Sequence, residues 1–289
     1  AMKPVFDRGQ LALAMRVGTL LQPVTREDFL AQRNLPPKLM SHNDQFSLWQ
    51  ALLAEGAQSG WGGRIGDLLA EPAGQQASLF TAMSLDLSAV FSTGASVNEF
   101  MLASEGPIRL AAIPGAAGSE KAIDNALTRP SPHLMELARR TQISLSGADQ
   151  LTAALTGIGD TGLPATPLGL QLNMVARLIA ARDRLGLKRQ TFFVSMSGFD
   201  HHSGMAEQHG GLLQELGDAL AGFQDVMNGM GLGDQVLSFT ASDFGRALTV
   251  NGDGTDHGWG AQHLVMGGAV KPRQWVGSAP TCILGAPDE

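Results

Sequence analysis

The sequence predicts an α/β fold in which a mainly parallel sheet is covered by helices on both faces. Three observations carry this expectation. Short, continuously apolar runs alternate with amphipathic helical stretches in the last 120 residues, and such runs suit strands buried on both sides. Hydrophobic residues make up 44% of the chain and charged residues 16%, which excludes a disordered acidic or basic polymer. With 289 residues, folding buries roughly 75% of the surface that the unfolded chain exposes, so the core needs no staples. The whole span 1–289 is expected to be one α/β unit, with 72–165 less regular and 166–270 its clearest part.

Residues 10–18 (QLALAMRVG) read as a short buried strand ending at Gly18. Pro36-Pro37 breaks the chain, and a helix is expected over 43–55 with Phe46, Trp49, Leu52 and Leu53 on one face. Ser41 or Asn43 would be its N-cap. Gly60-Trp61-Gly62-Gly63 is a tight loop before a helix that starts between Arg64 and Leu69. Strand-like pieces at 85–91 and 108–113 then alternate with helical pieces at 119–128 and 132–141.

The C-terminal part is more regular. A helix over 168–186 turns Leu172, Val175, Leu178 and Ile179 inward. A strand at 191–196 (TFFVSM) is followed by a long helix over 205–230, with Leu212, Leu216, Leu220, Phe223 and Met227 spaced by three or four. A second strand lies at 235–240 (QVLSFT) and a third at 263–270. The crossover rule makes 191–196 and 235–240 parallel neighbours or near-neighbours joined by the long helix. GIGDTG (157–162) matches the dinucleotide fingerprint in letters only, because a helical pattern precedes it and Pro164 and Pro167 follow it.

The formal net charge of −7 gives no electrostatic reason to bind nucleic acid. The lone Cys282 excludes an internal disulfide and any multi-cysteine zinc site. No stretch approaches the roughly 20 apolar residues of a membrane span. The opening Ala1-Met2-Lys3-Pro4 shows no signal peptide, which fits either a cytoplasmic protein or a mature or truncated form of an exported one.

Metal-binding side chains gather at the predicted strand ends. The first strand runs into Asp200-His201-His202 and the second into Asp243-Phe244-Gly245-Arg246, while Asp256, His257 and His263 lie before the third. Ligands of open parallel sheets bind at the carboxyl ends of the strands. Imidazole with carboxylate and no thiolate suits a divalent metal, zinc or manganese above all. Asp200, His202, Asp243, Asp256, His257 and His263 suffice for one ion and leave room for a second. His201 and His209 are expected to point elsewhere. There is no GxSxG elbow, HExxH or Walker lysine, and NGDGTD (251–256) makes a poor calcium loop, with Gln262 in place of the final Glu.

The segments SHNDQ…WQ…GWGGR, GFDHH and FTASDFGR…GDGTDHGWG resemble an uncharacterised bacterial family, a domain of unknown function within the alkaline phosphatase/sulfatase superfamily. The resemblance implies a three-layer α/β/α sandwich, a metal-dependent site for phosphate or sulfate esters, and, through the twin-arginine signals common in that family, a periplasmic or secreted location. Asp200 and His202 are similar to an Asp and His that hold one metal, Asp243 to a strand-end Asp, and His257 to a late His ligand. Ser41 resembles the nucleophile position, and a helix N-terminus suits anionic oxygens. Arg64 and Arg246 would orient an oxyanion.

There are departures from the superfamily pattern. Phe244 stands where the superfamily usually has a ligand His. The first strand with its Asp has no counterpart, so the fold is expected to be incomplete at both ends and to hold one ion better than two. The cysteine-based sulfatase motif is absent. The competing classes are a non-enzymatic exported protein with a degenerate site and a metal-dependent carboxylic-ester hydrolase.

Overall fold

A computed structural model describes residues 1–53, 56–70, 79–108, 125, 127, 128 and 131–286. It is a mixed α/β fold. Helix α1 (Met2–Asp7) leads into β1 (Leu11–Val17), and α2 (Arg26–Leu30) starts at a capping box between Thr25 and Asp28. Helix α3 (His42–Ala51) stops at Leu52, which is left-handed, and α4 (Trp61–Ala70) follows. Strands β2 (Ala82–Leu85), β3 (Phe100–Ala103) and β4 (Gly106–Pro107) come next, with a 3-10 turn at Val90–Ser92.

Helix α5 (Pro132–Leu155) and helix α6 (Pro167–Ala180) begin alike. Each has proline in its first turn, where no amide donor is missed, and a Ser131 or Thr166 side chain accepting a backbone N–H. Then come β5 (Thr191–Phe193), α7 (Met205–Gly229), β6 (Ser238–Phe239), β7 (Gly245–Asn251), β8 (Gly254–Gly258), β9 (Ala261–Met266) and β10 (Trp275–Val276).

The strands form separate ladders. One sheet has the order β10-β1-β9-β6 and another β4-β3-β2-β5, while β7 and β8 make a hairpin. Pairing is mixed: β1–β10, β2–β3 and β2–β5 are parallel, and β1–β9, β6–β9 and β3–β4 are antiparallel. This corrects the expectation of a mainly parallel sheet. It also corrects the crossover, because β5 and β6 lie in different sheets and α7 links the sheets. The physical reason lies just past β5, where the N–H and C=O of Ser195 are both taken by the Gln171 side chain at 2.9 Å. An apolar run such as TFFVSM specifies extended backbone but not its partner.

Other boundaries moved as well. The expected strand at 85–91 is β2 at 82–85, ended by Asp86 at φ +61°. The piece at 132–141 is the start of the longer α5. Most of the expected strand 108–113 and helix 119–128 lies outside the described residues. The rejected fingerprint at 157–162 is a loop with Gly157 and Gly162 at positive φ.

One hydrophobic core joins the two larger sheets. It contains Leu11 of β1 and Met266 of β9 beside Phe80, Met83 and Leu85 at β2, with Leu151 of α5, Met174 and Leu178 of α6, and Phe223 and Met227 of α7. The predicted inward faces of α6 and of the second half of α7 are buried. No helix among the described residues is long and apolar enough to cross a membrane.

Candidate metal centre

Four chain segments meet at one surface cluster. The start of α3 supplies His42. The link from β5 to α7 supplies Asp200 and His202, the turn after β6 supplies Asp243, and the hairpin supplies Arg246, Asp256 and His257. Cross-strand register sets Arg246 opposite His257. Gly254 at the start of β8 lies so close to the backbone of His201 and His202 that a Cβ there would collide with it. Glycine thus lets the hairpin close onto the Asp200 loop.

Asp200 is the hub. Its Oδ1 meets His257 Nε2 at 3.0 Å, His202 Nε2 at 3.0 Å and Arg246 at 2.8 Å, and its Oδ2 lies 3.4 Å from His42 Nε2. The far nitrogens are also engaged. His42 Nδ1 is 2.7 Å from Asp243 Oδ2, and His257 Nδ1 is 3.0 Å from the Met40 carbonyl. His202 Nδ1 lies 3.4 Å from Asp256, which itself accepts from the Asn251 amide. Phe244 stacks on His257, with ring centroids 4.3 Å apart, and meets the His42 ring edge-on.

Facing oxygens and nitrogens set the charges. Hydrogen bonding to Asp243 raises the His42 imidazole above its ordinary pKa, and the charges of Asp243 and Asp200 add to this against the opposing effect of burial. Burial pushes the Asp200 carboxyl up. Hydrogen bonds from Arg246 and His257, with the charges of His257 and His202, outweigh burial and hold it below the usual carboxylate value.

His42, Asp200 and His257 each offer an atom within 4.8 Å of the others, a spacing able to hold a metal ion. Sequence reasoning read Ser41 in SHND and passed over His42. The signal was available, since the first residue of a helix projects beside its N-cap, but the cap interpretation absorbed it.

The other candidates sit apart from the hub. His263 on β9 is buried beside Trp49 and contacts Thr240, away from the Asp200 network, and burial lowers its pKa. Ser41 is the N-cap residue of α3, but its hydroxyl donates to Asp44 at 2.9 Å. Arg64 donates to the carbonyls of Ala51 and Ser59 and so ties the end of α3 to the start of α4. His201 faces away from the cluster, buried against His209.

A family model described as "Protein of unknown function (DUF1501)" matches residues 1–285. No curated protein and no solved structure matches the chain.

Proposed function

The chain belongs to the DUF1501 family of proteins of unknown function, and from that starting point we propose that it is a metal-dependent hydrolase of phosphate or sulfate esters. In this reading the two larger sheets and their helices correspond to an alkaline phosphatase-like three-layer sandwich, and the protein works in the periplasm or outside the cell.

One observation carries the metal reading. Asp243 and the Met40 carbonyl are acceptors, so they assign the ring protons of His42 and His257 to Nδ1. Each Nε2 then faces Asp200, and any proton it carries can be exchanged for a metal ion. A divalent cation bound there would take the place of those protons as the positive charge beside the carboxylate. Acceptors behind the ligand imidazoles are the usual outer support of such ions.

His42, Asp200 and His257 would hold a zinc or manganese ion, and Asp243 would fix the His42 ring. Such an ion polarises an ester oxygen and acidifies a water. In hydrolysis, water adds to phosphorus or sulfur, and the alcohol leaves with one of the water's protons. His202, half exposed beside Asp256, is placed to carry that proton. The Ser41 hydroxyl, committed to Asp44, would instead brace the start of α3.

The test is zinc and manganese binding by calorimetry, alongside hydrolysis of aryl phosphate, sulfate and carboxylate esters. His257→Ala should weaken binding at least about 100-fold, and Asp243→Asn about 10- to 100-fold. No metal binding by the folded wild type would sink the proposal. Turnover of carboxylate esters alone, lost in His257→Ala, would move the substrate class.

A further inference from the structure

We propose that the Arg246 guanidinium occupies the place of a second metal ion, so that the cluster takes one divalent cation per chain. This rests on the metal reading above and extends it to stoichiometry and to the role of one residue. Arg246 donates to Asp200 Oδ1 at 2.8 Å, to the His201 carbonyl at 2.6 Å and to Thr255 Oγ1 at 2.9 Å, and it lies over the Phe244 ring. Its side chain is only 13% exposed. A guanidinium does not lose its proton in a protein, so this charge is fixed.

The two oxygens of Asp200 have different surroundings. His42 faces Oδ2 and His257 faces Oδ1, and an ion held by the two rings and bound to Asp200 through Oδ2 uses the donors already shown to converge. The donors left for another ion are His202, whose Nε2 lies 3.0 Å from Oδ1, and Asp256, which lies 3.4 Å from the other ring nitrogen of His202. Arg246 already sits on Oδ1. An ion bound to that oxygen at about 2.1 Å would lie within about 5 Å of the guanidinium nitrogen. An ion on Oδ2 can lie up to about 2 Å farther from the guanidinium, so at an effective dielectric constant of about 20 it binds roughly tenfold better against this repulsion than one on Oδ1.

Charge balance leads to the same place. Asp200, Asp243 and Asp256 bring three negative charges, and Arg246 with a single dication neutralises them. A second dication would leave an uncompensated double positive charge in a partly covered pocket. Arg246 is therefore a positioning residue: its donors hold Asp200 and the loop behind it, not the substrate.

Native mass spectrometry and elemental analysis during a zinc titration test this directly. Wild type should level off at one ion per chain, Arg246→Gln at two, and Arg246→Lys, which keeps the charge, at one. Circular dichroism establishes that each variant is folded. Wild type filling two sites would overturn the proposal while the metal reading stands, as would Arg246→Gln stopping at one. Wild type binding none would remove the metal reading and this proposal together. If Arg246→Gln fails to fold, wild type and Arg246→Lys decide: one ion in each upholds the proposal, and two in either overturns it.

Discussion

His263 shows what a single histidine does when it has no place in the cluster. It was expected at the metal rim, yet it lies on β9 with its ring against Trp49 and its Nε2 buried without a hydrogen-bond partner. Burial lowers its pKa, so in the folded state it resists protonation. Below the ordinary value of about 6.5 the unfolded chain takes up the proton first, and stability is lost as pH falls from there toward the depressed folded value. The slope reaches at most about 1.4 kcal/mol per pH unit. Denaturant unfolding of wild type and His263→Gln between pH 5 and 8 (a range set about the ordinary histidine pKa) should show a steeper loss toward acid in wild type than in the variant, which keeps the contributions of His209 and His42. Parallel curves would refute it. At this scale the sequence was partly legible. Asp200, His202, Asp243, Asp256 and His257 follow strands or form a hairpin, and the network joins them. His263 lies within a strand, where alternation sends every other side chain into the body, and the letters do not say which.

Among the elements, α4 and the loop before β3 are joined by one carboxylate. Asp67 accepts from the backbone N–H groups of Ala95, Ser96 and Val97 and from the Ser96 hydroxyl. Burial pushes its carboxyl up, but these donors together hold it below the ordinary carboxylate pKa. Its stabilising contribution is therefore complete above about pH 4 and is lost as pH falls through the lower folded value. Asp67→Asn should cost about 1–3 kcal/mol at pH 7, and much less in acid, by urea unfolding. An equal cost at both pH values would count against the ionic role. The existence of α3 to α7 was legible because periodicity and proline punctuation act locally, whereas the short α1 and α2 carry too few turns to show a period. Strand partners were not: Gln171 closing the backbone beyond β5 is a contact across 24 positions that no local pattern encodes. The β7–β8 hairpin was not expected: NGDGTD was set aside as a poor calcium loop, and its Gly252 and Gly254 serve as turn and close-packing residues.

Over the whole molecule, the cluster draws on both larger sheets. Asp200 follows β5 of one, and Asp243 follows β6 of the other. Core side chains, without a shared ladder, join these sheets among the described residues. Apolar packing tolerates small sliding better than a ladder of directional bonds does, so each sheet has the makings of a separate opening unit. An ion held by His42, Asp200 and His257, with Asp243 behind His42, acts as a clasp across that seam. Backbone amide exchange should then slow on metal addition in β2 and β3 as well as in β1 and β9, and chelation should release both sets together. Slowing confined to the loops around the ion would mean that the sheets already move as one. The seam thus makes local metal occupancy a thermodynamic brake on opening far from the ligands, in proportion to how tightly the ion is held.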